Sequence, residues 1–208
     1  MFDDPGILSV LMPWHWLWLE PVVDKVRWSL CAKEVCFKNE LLRHFFLNGN
    51  TLPVERGKAG VHQPIVSVAA LALAAGKWVH VFPEGRINFD GKLGPLRWGA
   101  GKLVCEARRL SGGKDPIVLP FYHSGMGHVL PLSSRFFKAG HEVEVRIGEP
   151  VPISDVTCKC DSDDVAVQQE AWKAITERIR AELQRLEALS PPNPDQTATA
   201  PMRNPPPS

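Results

Sequence analysis

Apolar positions change period several times along this chain, and each change predicts a new element. Residues Gln63 to Ala75 are apolar almost all round, which predicts a helix buried against a sheet and stopped by Gly76. Asn39 to Leu47 has the look of a shorter helix, with Asn39 as its cap and Gly49 as its end. Thr51 to Val54 is a short strand, and Trp78 to Phe82 is a second one, rich in β-forming residues and halted by Pro83. Leu96 to Leu110 is helical, with Gly112 and Gly113 behind it. Pro116 to Tyr122 has the composition of an inner strand, but Pro120 conflicts with a ladder position, so this strand is short or ends there. Glu142 to Ile147 alternates cleanly and predicts a strand with one wet face. From Val165 to Leu189, Val165, Trp172, Ile179 and Leu186 recur every seventh residue, with Ile175 and Leu183 between them. That pattern is a long amphipathic helix packed on the domain or on a partner helix. Strands interleaved with helices predict an α/β domain with a mixed, largely parallel sheet flanked by helices.

Composition narrows what such a domain does. Across 208 residues, 24 Lys and Arg nearly balance 23 Asp and Glu. A nucleic-acid-coating protein carries a strong basic excess, so that class is excluded as a partner. Membranes are not excluded, because interfacial binding is often mainly apolar. The chain opens without the basic region of a signal peptide, and no apolar run is long enough for a clear membrane-crossing helix. Ile7 to Leu19 is apolar but short, interrupted by Pro13 and His15, and it carries Trp14, Trp16 and Trp18. Two readings stand for it: a segment dipping into one leaflet, or a buried core element. Residues 190–208 are proline-rich with almost no large apolar group, which predicts a disordered tail behind a globular region of residues 1–189. Five cysteines at scattered positions suggest no disulfide framework. Cys158 and Cys160 stand beside Asp161, Asp163 and Asp164, but C-x-C is not the usual zinc spacing and no metal is assigned.

In sheets of this kind, sites form in loops beyond the carboxyl ends of strands. Two segments qualify: Glu55-Arg56-Gly57 and Pro83-Glu84-Gly85-Arg86. Each joins a glycine, which permits a tight turn, to an arginine, whose rigid fork of donors fits a phosphate. Glu84 is held between stiff neighbours, where it can accept from a substrate hydroxyl or orient Arg56 or Arg86. The plainer reading of both segments is a pair of surface turns with solvated charges. Asp3-Asp4-Pro5-Gly6 reads as a turn or helix start, and His80 and His123 read as structural histidines. Neither a nucleophile elbow nor a P-loop is present, which sets aside serine hydrolases and P-loop nucleotide hydrolases.

Taken together, these segments resemble the glycerolipid acyltransferases, and most closely their tafazzin branch. Phe82-Pro83-Glu84-Gly85 matches the family's signature block, Val54-Glu55-Arg56-Gly57 its arginine-glycine block, and Pro116-Ile117-Val118-Leu119-Pro120 its later proline block. Trp78 through Asn88, Glu40-Leu41 with His44-Phe45-Phe46, Arg97-Trp98-Gly99 and His123-Ser124-Gly125-Met126 are similar to that branch, in the same order, from Asp3 to about Pro152. The resemblance implies a glycerol-3-phosphate acyltransferase-like fold and a His-x-x-x-x-Asp pair in which the histidine is general base and the aspartate orients it. Asp3 fits the orienting aspartate. Its histidine would stand five residues earlier, before Met1, which implies an N-terminally truncated chain.

What the resemblance further implies is acyl exchange between a phospholipid and a lysophospholipid without coenzyme A or any other cofactor. Arg56, Gly57, Phe82, Pro83, Glu84, Gly85 and Arg86 would bind substrate, the two arginines on phosphate and Glu84 on the glycerol. Remodelling of cardiolipin at a mitochondrial membrane, with peripheral or interfacial attachment, belongs to the same implication. The alternatives are a non-catalytic lipid-binding protein and an acyl-CoA-dependent lysophospholipid acyltransferase.

Overall fold

The computed structural model describes residues 27–57, 60–86, 92–129 and 138–190. Asp3, the tryptophan-rich segment from Ile7 to Leu19 and the tail from residue 191 onward lie outside the described residues.

A strand that local pattern did not predict forms the middle of the sheet. β1 (Trp28–Ala32) runs into a single-turn helix, α1 (Lys33–Cys36). Helix α2 (Glu40–Asn48) follows, capped by Asn39, whose side-chain Oδ1 accepts from the Leu42 N–H at 2.8 Å. β2 (Thr51–Val54) comes next, then a 3₁₀ turn (Gly60–His62) and helix α3 (Pro64–Ala74). Proline at the first position of α3 loses no hydrogen bond, and Gly76 ends the segment at φ 77°, a backbone state that suits glycine. β3 (Val79–His80) is shorter than its β-rich sequence suggests. The three strands lie in the order β2-β1-β3, all parallel.

Helix α4 (Gly99–Leu110) begins three residues later than periodicity predicts, because the backbone N–H of Arg97 donates to Pro83 O at 2.8 Å and is drawn out of the helix. The proline-rich strand is also displaced. β4 (Phe121–Ser124) starts after Pro120 instead of ending there, since proline has no N–H for the ladder. The Pro120 carbonyl still accepts from Gly148 N–H at 2.9 Å. A short helix, α5 (Met126–Val129), precedes β5 (Glu144–Ile147), and β4 and β5 pair antiparallel. The chain is thus α/β as expected, with its parallel and antiparallel strands hydrogen-bonded as two separate sheets among the described residues. His80 spans the two, 4 % exposed, with its ring 4.6 Å from that of Phe82 and 5.1 Å from that of Phe121.

The remaining elements are α6 (Ser154–Thr157), a 3₁₀ turn (Cys158–Asp161) and the long helix α7 (Val165–Leu189). Helix α7 buries Trp172, Ile175, Ile179, Leu183 and Leu186, the face its heptad spacing predicts, and it packs on α4 in this same chain. Gly101 permits the approach: a Cβ there would run into the Trp172 carbonyl. One core, between α4, α6 and α7, contains Val104, Ile153, Ile175 and Ile179. A second, between the parallel sheet, α3 and α4, contains Leu52, Val66, Ala69 and Leu103.

The cysteines depart from expectation. Cys31 pairs with Cys36, and Cys105 with Cys160, at Cα separations of 6.2 and 5.0 Å. The second pair lies 55 residues apart in sequence, and only the packing of α4 on the 3₁₀ turn brings it together. Cys160 is therefore part of a disulfide, and only Cys158 is free and exposed.

Candidate functional site

Parallel register decides which loops meet. Ser29 of β1 is aligned with Thr51 on one side and with His80 on the other. Arg56 follows Thr51 by five positions, and Gly85 follows His80 by five, so both candidate segments leave the sheet at its carboxyl edge. With β1 between them, strands β2 and β3 are roughly 10 Å apart, two inter-strand spacings.

The β1 and β2 exits are cross-linked. Arg56 Nε lies 3.3 Å from Glu34 Oε1, and Lys33 Nζ donates to Glu55 Oε1 at 2.8 Å. Both pairs are solvated, so each adds little to stability and can exchange with a stronger anion. The Lys33 ammonium holds the Glu55 carboxyl below its ordinary range, by hydrogen bond first and charge second. Behind them the buried amide of Gln63 clamps the β2 exit. Its Oε1 accepts from Glu55 N–H at 2.7 Å, and its Nε2 donates to the Glu55 and Gly60 carbonyls, both at 2.8 Å. Gly57, at φ 138°, turns the chain away from the sheet.

The β3 exit is a separate, tighter structure. Gly85 N–H donates to Phe82 O at 3.1 Å, closing a turn over Pro83 and Glu84 with Gly85 at φ 64°. Phe82 is 41 % exposed, so an apolar ring stands at the water-facing rim of the turn. Glu84 Oε2 accepts from the Gly94 N–H at 3.1 Å. One residue earlier, Leu93 N–H donates to Glu187 Oε1 at 2.9 Å, which ties this loop to the last turns of α7. Burial first, and then the nearby carboxylates of Glu187 and Glu84, push the Tyr122 phenol up from its ordinary value.

Of the residues singled out from sequence, Arg56, Gly57, Phe82, Pro83, Glu84, Gly85 and Arg86 thus lie on loops at one edge of the parallel sheet. Asp3 lies outside the described residues. The carboxylate beside Arg56 is Glu34, from the β1 exit, and Glu84 holds a backbone amide. Gln63, Glu34 and Glu187 were not legible as parts of this region. Each reaches it from a different element, and no local motif marks them. The loops of this edge carry Arg56 and Arg86 and the exposed ring of Phe82, residue types that suit an anionic, partly apolar ligand.

Residues 8–124 match the family model described as Acyltransferase, more than half of the chain. The chain belongs to the acyltransferase family. It is 35 % identical over 190 residues to Tafazzin from Drosophila melanogaster, covering 90 % of this chain and 47 % of that protein. It is 31 % identical over 198 residues to Taffazin from Dictyostelium discoideum, covering 88 % of this chain and 67 % of the relative. N-acylphosphatidylethanolamine synthase from Arabidopsis thaliana is 30 % identical over 166 residues, covering 74 % and 56 %. The chain therefore spans about half to two thirds of the length of these relatives. Within the acyltransferases it is tafazzin-like, as the order of its sequence blocks predicts. Among the described residues, no helix is long and apolar enough to cross a membrane.

Proposed function

We propose that this protein is a phospholipid–lysophospholipid transacylase that remodels mitochondrial glycerophospholipids such as cardiolipin at a membrane surface. One observation carries the reading: in a tafazzin-like acyltransferase, register aligns the Arg56 and Glu84-Gly85-Arg86 loops at the same edge of one parallel sheet. In this reaction a lysophospholipid hydroxyl attacks the fatty-acyl ester of a second phospholipid. The hydroxyl proton passes to a general base, the acyl group moves to the attacking oxygen, and the donor leaves as a lysophospholipid. Arg56 and Arg86 hold lipid phosphate, and Phe82 faces the apolar part of the ligand. Glu84 shapes the turn that receives the glycerol.

Asp3 is the orienting aspartate of the general base in this proposal. General base catalysis is worth about 10²–10⁴ in rate. Transfer of a labelled acyl chain from phosphatidylcholine to monolysocardiolipin, without acyl-CoA, tests the proposal. Protein that carries the complete His-x-x-x-x-Asp pair is expected to transfer acyl groups, and its Asp3→Ala variant to be slower by at least about 100-fold. Transfer only when acyl-CoA is added would replace this reading with the acyl-CoA-dependent one. Lipid binding with no transfer would leave a lipid-binding protein.

A further inference from the structure

Gly85 is occupied from outside. A Cβ on this residue would lie 2.9 Å from Arg97 Cδ and 3.0 Å from Arg97 Nε, so the Arg97 side chain runs directly across the bare face of the Pro83–Arg86 turn. Its backbone is fixed there by the 2.8 Å hydrogen bond to Pro83 O. The next residue, Trp98, is held from α7 by Lys173, whose Nζ stands 4.5 Å from the centre of the indole ring. Arg97 is exposed, and among the described residues no carboxylate pairs with it, whereas Arg56 is paired with Glu34. An arginine in water normally lies along apolar surface or pairs with an acid. Here its stem is laid over a glycine turn, with the guanidinium at the edge where Arg86 begins.

We infer that Arg97 is a further phosphate-binding residue of this site, placed by the absence of a side chain at Gly85, and that its ligand is the phosphate ester of a glycerolipid. The inference rests on the reading of the two carboxyl-edge loops as a phosphate seat. It also gives the glycine in Phe-Pro-Glu-Gly a second purpose. Besides adopting φ 64°, Gly85 leaves the space through which Arg97 reaches the ligand. A charge-assisted contact at an exposed rim changes affinity by about tenfold.

The test is isothermal titration of the 208-residue chain with hexanoyl-lysophosphatidylglycerol below its micelle concentration. Monohexanoylglycerol and inorganic phosphate serve as comparison ligands. Arg97→Ala is expected to weaken the phospholipid Kd about tenfold, and Arg97→Lys by about threefold, because an ammonium keeps the charge and loses the fork. Arg109→Ala, an exposed arginine near the far end of α4, is expected to leave Kd unchanged. Gly85→Ala combined with Arg97→Ala should bind no worse than the weaker of the two single variants, since one displaces what the other deletes. If Arg56→Ala and Arg86→Ala weaken binding while Arg97→Ala matches Arg109→Ala, the role of Arg97 is overturned and the phosphate seat stands. If no phosphate-dependent binding occurs, or if none of the three arginines affects it, both fall. Inorganic phosphate binding as tightly as the lysophospholipid would overturn the glycerolipid assignment.

Discussion

The packed region around α7 and the carboxyl edge of the parallel sheet are built on opposite principles. In the first, α4, α6 and α7 enclose Ile175, Ala171 and Cys160 with no exposed surface, and Cys105–Cys160 ties α4 to the 3₁₀ turn. Its main ion cluster is partly shielded: Arg108 Nη1 lies 2.6 Å from Asp115 and its Nε 2.9 Å from Asp161. In the second, strands are two to five residues long, glycines adopt positive φ, and the Arg56 pair stands in water. Stability is concentrated where no ligand comes, and charge is left solvated where a ligand must displace water. The contrast predicts that substitutions separate cleanly into those that unfold the chain and those that only weaken binding.

The largest effect belongs to the packed region. Trp172→Ala removes a ring that is 4 % exposed from the core shared by α4 and α7, and it should cost about 3–5 kcal/mol in chemical denaturation. Loss below 1 kcal/mol would mean that the α4–α7 contact is not the core. Next comes the disulfide: replacing Cys105 and Cys160 together by serine should cost about 2–4 kcal/mol, read by the same denaturation, and leave lipid affinity of the folded fraction unchanged.

Acid then probes the Arg108 cluster. Burial alone would raise the Asp115 carboxyl, but hydrogen bonds from Arg108 and Thr157 outweigh it and hold the group below its ordinary value. A depressed carboxylate stabilises the fold above its unfolded pKa, so this contribution is present above about pH 4 and fades as pH falls below it. Thermal melts between pH 5 and 2 should therefore fall less steeply for Asp115→Asn than for the parent chain. At the edge, Arg86→Ala should change stability by no more than about 0.5 kcal/mol while weakening phospholipid binding, which a melt and a titration read separately. The smallest signal is spectroscopic. Tyr122 is the one tyrosine in the chain, so alkaline titration of the phenolate band reads it alone. Its midpoint should lie above the ordinary value of about 10 and move down in Glu187→Gln, sharpening the link between α7 and the Glu84 loop.

The same two regions differ in how far they could be read before folding. Helix α7 has the ends its sequence predicts, because a repeated apolar face is a local signal; the Asp164 side chain, which the pattern does not mark, caps it by accepting from Ala166 N–H. Helix α3 and strand β2 were legible for the same reason. β1 was not: Trp-Ser-Leu-Cys-Ala has no clean alternation, and only partners on both sides make it the central strand. Pro120 misled because a proline that cannot donate to a ladder can still accept from it. At the site, the glycine–arginine motifs marked both loops, but the side chains that hold them come from residues 34, 63, 97 and 187, which no spacing rule connects.

By itself, then, the order of residues determined the alternation of helices and strands, the two arginine-bearing turns and the membership of this chain in the acyltransferases. Tertiary structure decided that β1 lies between β2 and β3, that Cys105 meets Cys160, and that Arg97 lies across Gly85. The physical reason is range. Periodicity, caps and turns act within a few residues of chain. Strand order, disulfide partners and the reach of a guanidinium depend on surfaces that exist only after distant segments have packed.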